Sequence, residues 1–457
     1  MKKIIRFFSM AALALVGAVM TGCSSDDNTI NTPQPENGLV LKTTISLDGG
    51  SATRTLTNAG VKTFAVDDQV VLFYVDGKGI SRRVLSSALT APDIRADGKT
   101  ANLTFDVSAA LPADNGAIRY VYPANMASGN TDYTFDLNDA NTIDFTKLDA
   151  QDGTLATLGS SLDLCVYDGN FSGTSLPASA TLTNRLAVLA ITLTDNAASP
   201  TEITSSITDL VVVEGTNHYA VTRAAAAGPI YVAIKPTSSA VIEVAATDGA
   251  NEYGKFLTSK TYAANNGYNV SWKMLPWVRL STISGYYDVT ENVILTGTPA
   301  DALTIVNDGG YTVTLDNVNP EGTATVRMNC GSDFTLKLKG TSKFTRIIDI
   351  GYALTISEAV AGGTVIINST GYALGAATVT VNGGTVKVKS ENAVAINANL
   401  AVNGGAVYLA GAGDNAVNGT ISGSTTLYGW DGIAWGDNTA SRYVSTDNSG
   451  DPTAWTW

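Results

Sequence analysis

Enzyme chemistry needs reactive side chains within reach of one another, and this 457-residue chain is short of them. It holds one histidine, His218, in EGTNHYAV, with no cysteine near it. A single histidine cannot build a two-histidine metal site, and without cysteines nearby it makes no zinc motif. No nucleophile elbow, phosphate-binding loop or dinucleotide fingerprint occurs, so His218 reads as a solvated loop residue. Asp308, Asp316, Asp333 and Asp349 are scattered, and Glu391 and Asp414 do not align with each other. Paired-carboxylate hydrolysis and calcium-assisted cleavage both need such groups clustered on one face. The chain therefore reads as a non-enzyme with no catalytic residue, metal or cofactor. The groups left over are aromatic. Tyr352 and Tyr372 each stand in a GYAL, Tyr408 stands in VYLAG, and residues 425–457 hold Trp430, Trp435, Trp455 and Trp457. Flat rings suit the C–H faces of sugars, and they equally well close an apolar end. The candidate ligand set is Tyr352, Tyr372, Tyr408, Trp430 and Trp435.

What positions these rings is a repeat. Aligned on their glycines, residues 362–382, 383–403 and 404–424 share a 21-residue period. Val365, Val386 and Val407 fall in one column, and Ile367, Val388 and Leu409 in another. Val379, Leu400 and Ile421 form a third, with Val381 beside Val402. Ile366, Lys387 and Tyr408 make a variable column between apolar ones. Alternation at period two marks strands with one face inside. A fixed longer period makes each repeat one coil of a parallel β-solenoid. The Gly-Gly after Asn382 and after Asn403 supplies the corner, and stacked asparagines there can form an amide ladder. Upstream, residues 291–298, 311–318 and 334–340 repeat the pattern less faithfully. Six or seven coils over 286–430 would give a rod about 30 Å long. This segment resembles the right-handed β-helix modules labelled carbohydrate-binding in surface lipoproteins. Residues 431–457 leave the period and are expected to cap the last coil.

The N-terminus reads as a processing segment. MKKIIR is basic and residues 7–20 are apolar, too short a run to span a bilayer. The following VMTGCSSDD resembles a bacterial lipobox, which implies cleavage after residue 22 and acylation of Cys23. Asp26 and Asp27 resemble the acidic export signal of surface-exposed lipoproteins. Loss of Lys2, Lys3 and Arg6 takes the formal charge from −13 to −16, which disfavours nucleic acid as a partner. Residues 23–37 read as a flexible tether. With Cys23 acylated, only Cys165 and Cys330 remain, and a disulfide framework is not expected.

Residues 38–275 read as short strands between turns, among them LVLKTTISL at 39–47, QVVLFYVDG at 69–77 and LAVLAITLT at 186–194. Such spacing suggests antiparallel β-sandwiches. The stretches SATRTLTNAGVKTFAVDDQVVLFY (51–74), QDGTLATLGSSLDLCVY (151–167), TLTNRLAVLAITLT (181–194) and SKTYAANNGYNVSWKM (259–274) resemble, in order, the motifs of the fimbrillin family. These are pilins and pilin-like adhesins of Gram-negative anaerobes. The resemblance implies two tandem transthyretin-like sandwiches, 38–160 and 161–275. It also implies assembly with other pilin subunits by strand exchange, after proteolysis at an arginine that Arg54 matches. Residues 276–285 read as a linker in which Pro276 stops the last strand and Trp277 packs at the junction.

The expectation is thus an all-β protein of two sandwiches and a parallel β-helix, held at the outer membrane by its N-terminal lipid and exposed at the cell surface or in a pilus. Its role would be adhesion, as an accessory or tip-like pilus component. The alternative is a stand-alone surface lipoprotein that binds glycan. Either way the partners would be other pilin subunits, a glycan or host-surface ligand, and the membrane through the lipid.

Overall fold

The computed structural model describes residues 39–47, 63–129, 134–224, 228–348, 351–411, 416–423 and 426–430. The segments expected as signal and tether, Cys23, Arg54, Trp435 and the segment 431–457 expected as a cap lie outside them. The chain is all-β, as its wealth of β-branched residues and turn formers predicts.

The first unit is built from β1 (Val40–Leu47), β2 (Val71–Val75), β3 (Ser81–Leu85), β4 (Thr100–Asp106), β5 (Ala117–Tyr122), β6 (Cys165–Asn170) and β7 (Ser179–Asn184). They form one sheet in the order β3-β2-β5-β6-β7-β1-β4. The sheet folds over a core that joins Leu41, Ile45 and Leu47 to Leu72, Tyr74, Phe105, Tyr120 and Leu182. The expected division at 160/161 is corrected. β6 and β7 pair antiparallel to each other, and β6 pairs with β5 of the first unit. The reason is that Cys165 and Leu182 complete the first core. Short helical turns between residues 139 and 162 intervene before β6.

The second unit runs from β8 (Ala187–Thr194) through β9 (Asp209–Glu214), β10 (Asn217–Thr222), β11 (Ile230–Ile234), β12 (Thr237–Thr247) and β13 (Glu252–Tyr262) to β14 (Asn266–Lys273). One sheet is β11-β8-β14, and the other orders β10-β9-β12-β13. Its core includes Val71, Phe73, Val121 and Val166 from the opposite face of the first sheet. The strands β2, β5 and β6 are therefore buried on both faces, and the two sandwiches share apolar contacts rather than hanging on a hinge.

The solenoid follows with β15 (Leu275–Arg279), β16 (Gly285–Asp288) and β17 (Val293–Gly297). It makes about seven turns. Its first face stacks β15, β17, Val313–Val318, Phe334–Lys339, Ala353–Glu358 and then residues near 380, 401 and 422, all in parallel register. A second face stacks β16, Leu303–Asn307, Val326–Cys330, Arg346–Ile348 and residues near 374 and 396. A third face begins only at Thr341–Phe344 and continues through Thr364–Ser369, residues 385–390, residues 406–410 and Thr426–Trp430.

Every column expected from the 21-residue period is a rung-to-rung pair. Val365 pairs with Val386 and Val386 with Val407, and Val379 pairs with Leu400 and Leu400 with Ile421. The inward column residues fill one continuous core. At the corner, Gly384 and Gly405 have φ of +82° and +77°. A Cβ on Gly405 would strike the Gly384 carbonyl of the coil below, so the glycine is required twice over, for its φ and for its closeness. Asn403 Nδ2 donates to Asn382 Oδ1 at 3.0 Å, the first step of the expected amide ladder. Asn418 donates to Asn397 at 2.8 Å, which adds a second ladder.

The region 276–285 is not a loose linker. β15 pairs antiparallel with β13 at Tyr253–Pro276 and Gly254–Leu275, and parallel with β17 on its other side. Pro276 does not stop a strand but lies inside β15. The sandwich sheet thus continues directly into the solenoid, and the first coil's open edge is closed by hydrogen bonds to β13.

Candidate functional site

The solenoid offers two distinct surfaces, one at its root and one along its third face. At the root the outward side of the first face is covered by the second sandwich. Ile294 is fully buried although it belongs to the outward column, and Thr314 and Asp316 are buried beside it. Gly254 of β13 provides the room: a Cβ there would come within 2.6 Å of Trp277 and 2.8 Å of Ile294. Trp277 packs edge-on to Phe256, with ring centroids 6.1 Å apart, so it does seat at the junction.

An ion cluster closes this root. Lys339 Nζ lies 2.7 Å from Glu243 of β12 and 3.2 Å from Asp316 of the neighbouring coil. The same ammonium stands 4.4 Å from the centroid of Phe256 and 5.6 Å from that of Trp277. Arg279 Nε donates to Glu252 at 2.7 Å. A buried carboxylate such as Asp316 persists only with a paired cation, and Lys339 provides it from the adjoining rung, where Asp316 and Lys339 are register partners. Close by, burial together with repulsion from Lys337, Lys273 and Lys260 holds the Lys255 amine below the usual lysine range. None of these roles was legible in the sequence. Asp316 in TLDNV has the look of an ordinary outward strand residue, and only the covering sandwich buries it.

The third face is the open one. Its outward column runs Lys343, Ile366, Lys387 and Tyr408 on successive rungs. Lys387 Nζ lies 5.7 Å from the Tyr408 ring centroid, a cation over an aromatic face. Beside it run Asn368 and Lys389.

The expected ligand residues are only partly united. Tyr408 stands on the third face, half-buried. Tyr352 and Tyr372 are exposed, by 42% and 48%, but they do not form one column. Tyr352 leads into Ala353 on the first face, whereas Tyr372 precedes Leu374 on the second, so they open different corners. The 20-residue spacing between the two GYAL stretches misses the local turn length, since Leu354 pairs with Val379, 25 residues on. The backbone of Trp430 pairs with Ala410 at the end of the third face, and its side chain lies outside what is described, as does Trp435. An exposed ring that sequence reading passed over is Tyr286 of β16, 56% exposed and raised in pKa chiefly by its hydrogen bond to Asp288.

His218 lies within β10, paired opposite Val213, and not in a solvated loop. Among the described residues no three His, Cys, Asp or Glu side chains come together as a metal site would require. Cys165 is buried and Cys330 half-buried, in separate units, and neither forms a disulfide.

No family model matches the chain, and no curated protein matches it. Among solved structures it is similar to a fimbrial assembly protein from Parabacteroides distasonis, with 12% identity, 51% of this chain and 91% of that one covered, and a TM-score of 0.31. It is similar to a protein described as a cell adhesion protein from Bacteroides ovatus, with 8% identity, coverages of 53% and 96%, and a TM-score of 0.30. It is also similar to the major pilin of Streptococcus pyogenes, with 10% identity, coverages of 52% and 99%, and a TM-score of 0.17. Overlaps this slight decide nothing about role, and the architecture above rests on the strand pairing alone.

Proposed function

We propose that the chain is a cell-surface adhesion lipoprotein, an accessory or tip-like component of a fimbrillin-type pilus, in which the sandwiches assemble and the solenoid is presented. The observation that carries this reading is the root of the solenoid. β13, β15 and β17 form one unbroken sheet, and Lys339, at the end of the Phe334–Lys339 rung of the first face, ties the solenoid to β12. A rod mounted this way projects from its base without a swivel, which suits a presented module better than a tethered one. The position of β1 supports the assembly half. It lies between β4 and β7, and its Leu41, Ile45 and Leu47 reach into the first core. A strand so placed leaves an apolar groove when removed, the geometry on which strand complementation depends.

The native N-terminus tests the two modes. In the pilus mode the assembled form begins at Thr55, after Arg54, and is recovered in sheared surface material. Recovery only as a monomer acylated on Cys23, with none in sheared material, would overturn the pilus component. That outcome would favour the second reading, a stand-alone glycan-binding surface lipoprotein, for which the open third face with Lys387 over Tyr408 is the specific support.

A further inference from the structure

We infer that Lys235 and Asn217 of the second unit join in an intramolecular isopeptide bond, which the chain forms by itself with Glu214 as the proton carrier. Three side chains from three strand ends meet there. Glu214 ends β9 and Asn217 opens β10, and the two are register partners across the Gly215-Thr216 turn. Lys235 directly follows Ile234, the last residue of β11. Lys235 Nζ donates to Asn217 Oδ1 at 3.1 Å. Asn217 Nδ2 in turn donates to Glu214 Oε2 at 2.8 Å. The amide is held between an amine at its oxygen and a carboxylate at its nitrogen.

Each partner is fixed by a further contact. Glu214 Oε1 accepts from Thr237 Oγ1 at 3.1 Å. The Lys235 backbone N–H donates to the Tyr219 hydroxyl at 3.1 Å, and Tyr219 is buried in the core. Lys235 Nζ also stands 4.4 Å from the centroid of Phe145, so a ring bounds it on one side and the amide on another. Lys235, Asn217 and Glu214 are all half-buried. Among the described residues the lysine has its hydrogen bond with the amide and no ion pair with a carboxylate. A nucleophile held beside its electrophile reacts without the entropic cost of an encounter.

The step balances within these three groups. Glu214 accepts a proton from the Lys235 ammonium. The freed lone pair on Nζ attacks Asn217 Cγ, and the carbonyl electrons move to Oδ1. As the carbonyl re-forms, the Cγ–Nδ2 bond breaks and its electron pair stays on Nδ2. Nδ2 takes the proton held by Glu214 and the second proton released by Nζ, and leaves as ammonium. Glu214 ends as the carboxylate it began as, and the positive charge passes from the lysine to the departing ammonium. β10 belongs to the sheet β10-β9-β12-β13 and β11 to the sheet β11-β8-β14, so the bond staples the two sheets of the unit together. A cross-link of this kind restricts the unfolded chain as a disulfide does. The inference stands apart from the adhesive role and does not depend on it.

The test is peptide mass spectrometry of the full chain, denatured and digested with trypsin. Cleavage after Arg185, Arg223 and Lys255 places Asn217 on peptide 186–223 and Lys235 on peptide 224–255, since the bond before Pro236 resists trypsin. The wild-type chain should yield the two as one branched peptide, lighter than their sum by one ammonia. Lys235→Arg removes the amine, and Glu214→Gln keeps the size of the side chain but cannot carry the proton. Each variant should yield two separate peptides. Two separate peptides from the wild-type chain would overturn the bond, whatever the variants do. A branched peptide from Lys235→Arg would overturn it as well, because the link would then lie elsewhere. A branched peptide from Glu214→Gln would overturn the assignment of Glu214 as proton carrier.

Discussion

At the scale of single residues, the inward columns of the solenoid are the part most plainly written in the chain. Val386 lies between Val365 and Val407 in register and is fully buried. Its removal from water contributes about 1.5–3 kcal/mol, and an aspartate there would be an unpaired charge in an apolar interior, which costs far more. Val386→Asp should abolish the cooperative melt of the solenoid, whereas Lys387→Asp, one position on and facing outward, should leave it nearly unchanged. A normal melting curve for Val386→Asp, followed by circular dichroism, would show that the column does not face the core. These columns were legible because each inward residue has apolar neighbours of similar kind one period above and below, so the pattern needs no knowledge of distant contacts. Asp316, Glu243 and Lys339 were not legible for the opposite reason. Their partners stand 96 residues apart in the case of Lys339 and Glu243, and nothing local marks the outward side of that coil as covered.

At the scale of elements, the coil is a modular unit only where its length is constant. The step is 21 residues from Val365 through Val386 to Val407 on the third face and from Val379 through Leu400 to Ile421 on the first, but 20 from Val407 to Leu427; earlier turns step by 20, 23 and 25, as in Leu295 with Leu315, Leu315 with Leu338 and Leu354 with Val379. The widest departures are in turns where the third face is absent or newly begun. This is why the sequence period fades upstream although the stack continues without a break. Deletion of residues 383–403 should therefore give a folded protein with one coil fewer, shorter by about 4.8 Å in solution scattering. Deletion of 383–402 leaves one residue too many at the Asn-Gly-Gly corner, which must bulge to keep the inward columns in register, so that variant should be the less stable of the two; equal stability of the two deletions would refute the register argument. The sandwich boundary shows a different limit. β6 and β7 have the same alternating pattern as strands of either unit, and only the shared core decides which sheet they join.

The first sandwich has its own pH signature. Burial pushes the Tyr74 hydroxyl up to about 12 from an ordinary 10.0. Burial likewise raises Tyr120, and raises Tyr122 with help from its hydrogen bond to Asp68. The fold holds these groups neutral, so between the unfolded and folded values the unfolded chain binds fewer protons. Their contribution is complete below pH 10 and is lost as pH rises from 10 through 12 and beyond, by up to about 1.4 kcal/mol per group per pH unit. Tyrosinate absorbance should then rise in two phases, exposed tyrosines first and these three only on unfolding. A single smooth titration near pH 10 would show that they are not held neutral.

At the scale of the whole molecule, the closed joints and the one removable strand divide the labour. The sandwiches share a core through Val71, Phe73 and Val166, and the second passes its sheet into the solenoid, so none of these three parts separates without breaking packed contacts or a ladder. β1 is different. Among the described strands it comes first and pairs with β4 and β7, and it brings Leu41, Ile45 and Leu47 to the core. Burial of those three side chains contributes roughly 6 kcal/mol, comparable with the whole net stability of a domain, so the groove is stable only when something fills it. A chain beginning at Thr55 should therefore self-associate in size-exclusion chromatography with light scattering, while the full chain stays monomeric. A peptide of sequence VLKTTISL should bind the shortened chain and restore the monomer. The same peptide with aspartate in place of Ile45 should not, because that side chain is fully buried between the two neighbouring strands. If the shortened chain remains a stable monomer that ignores the peptide, the first core does not depend on β1, and assembly by exchange of that strand is excluded.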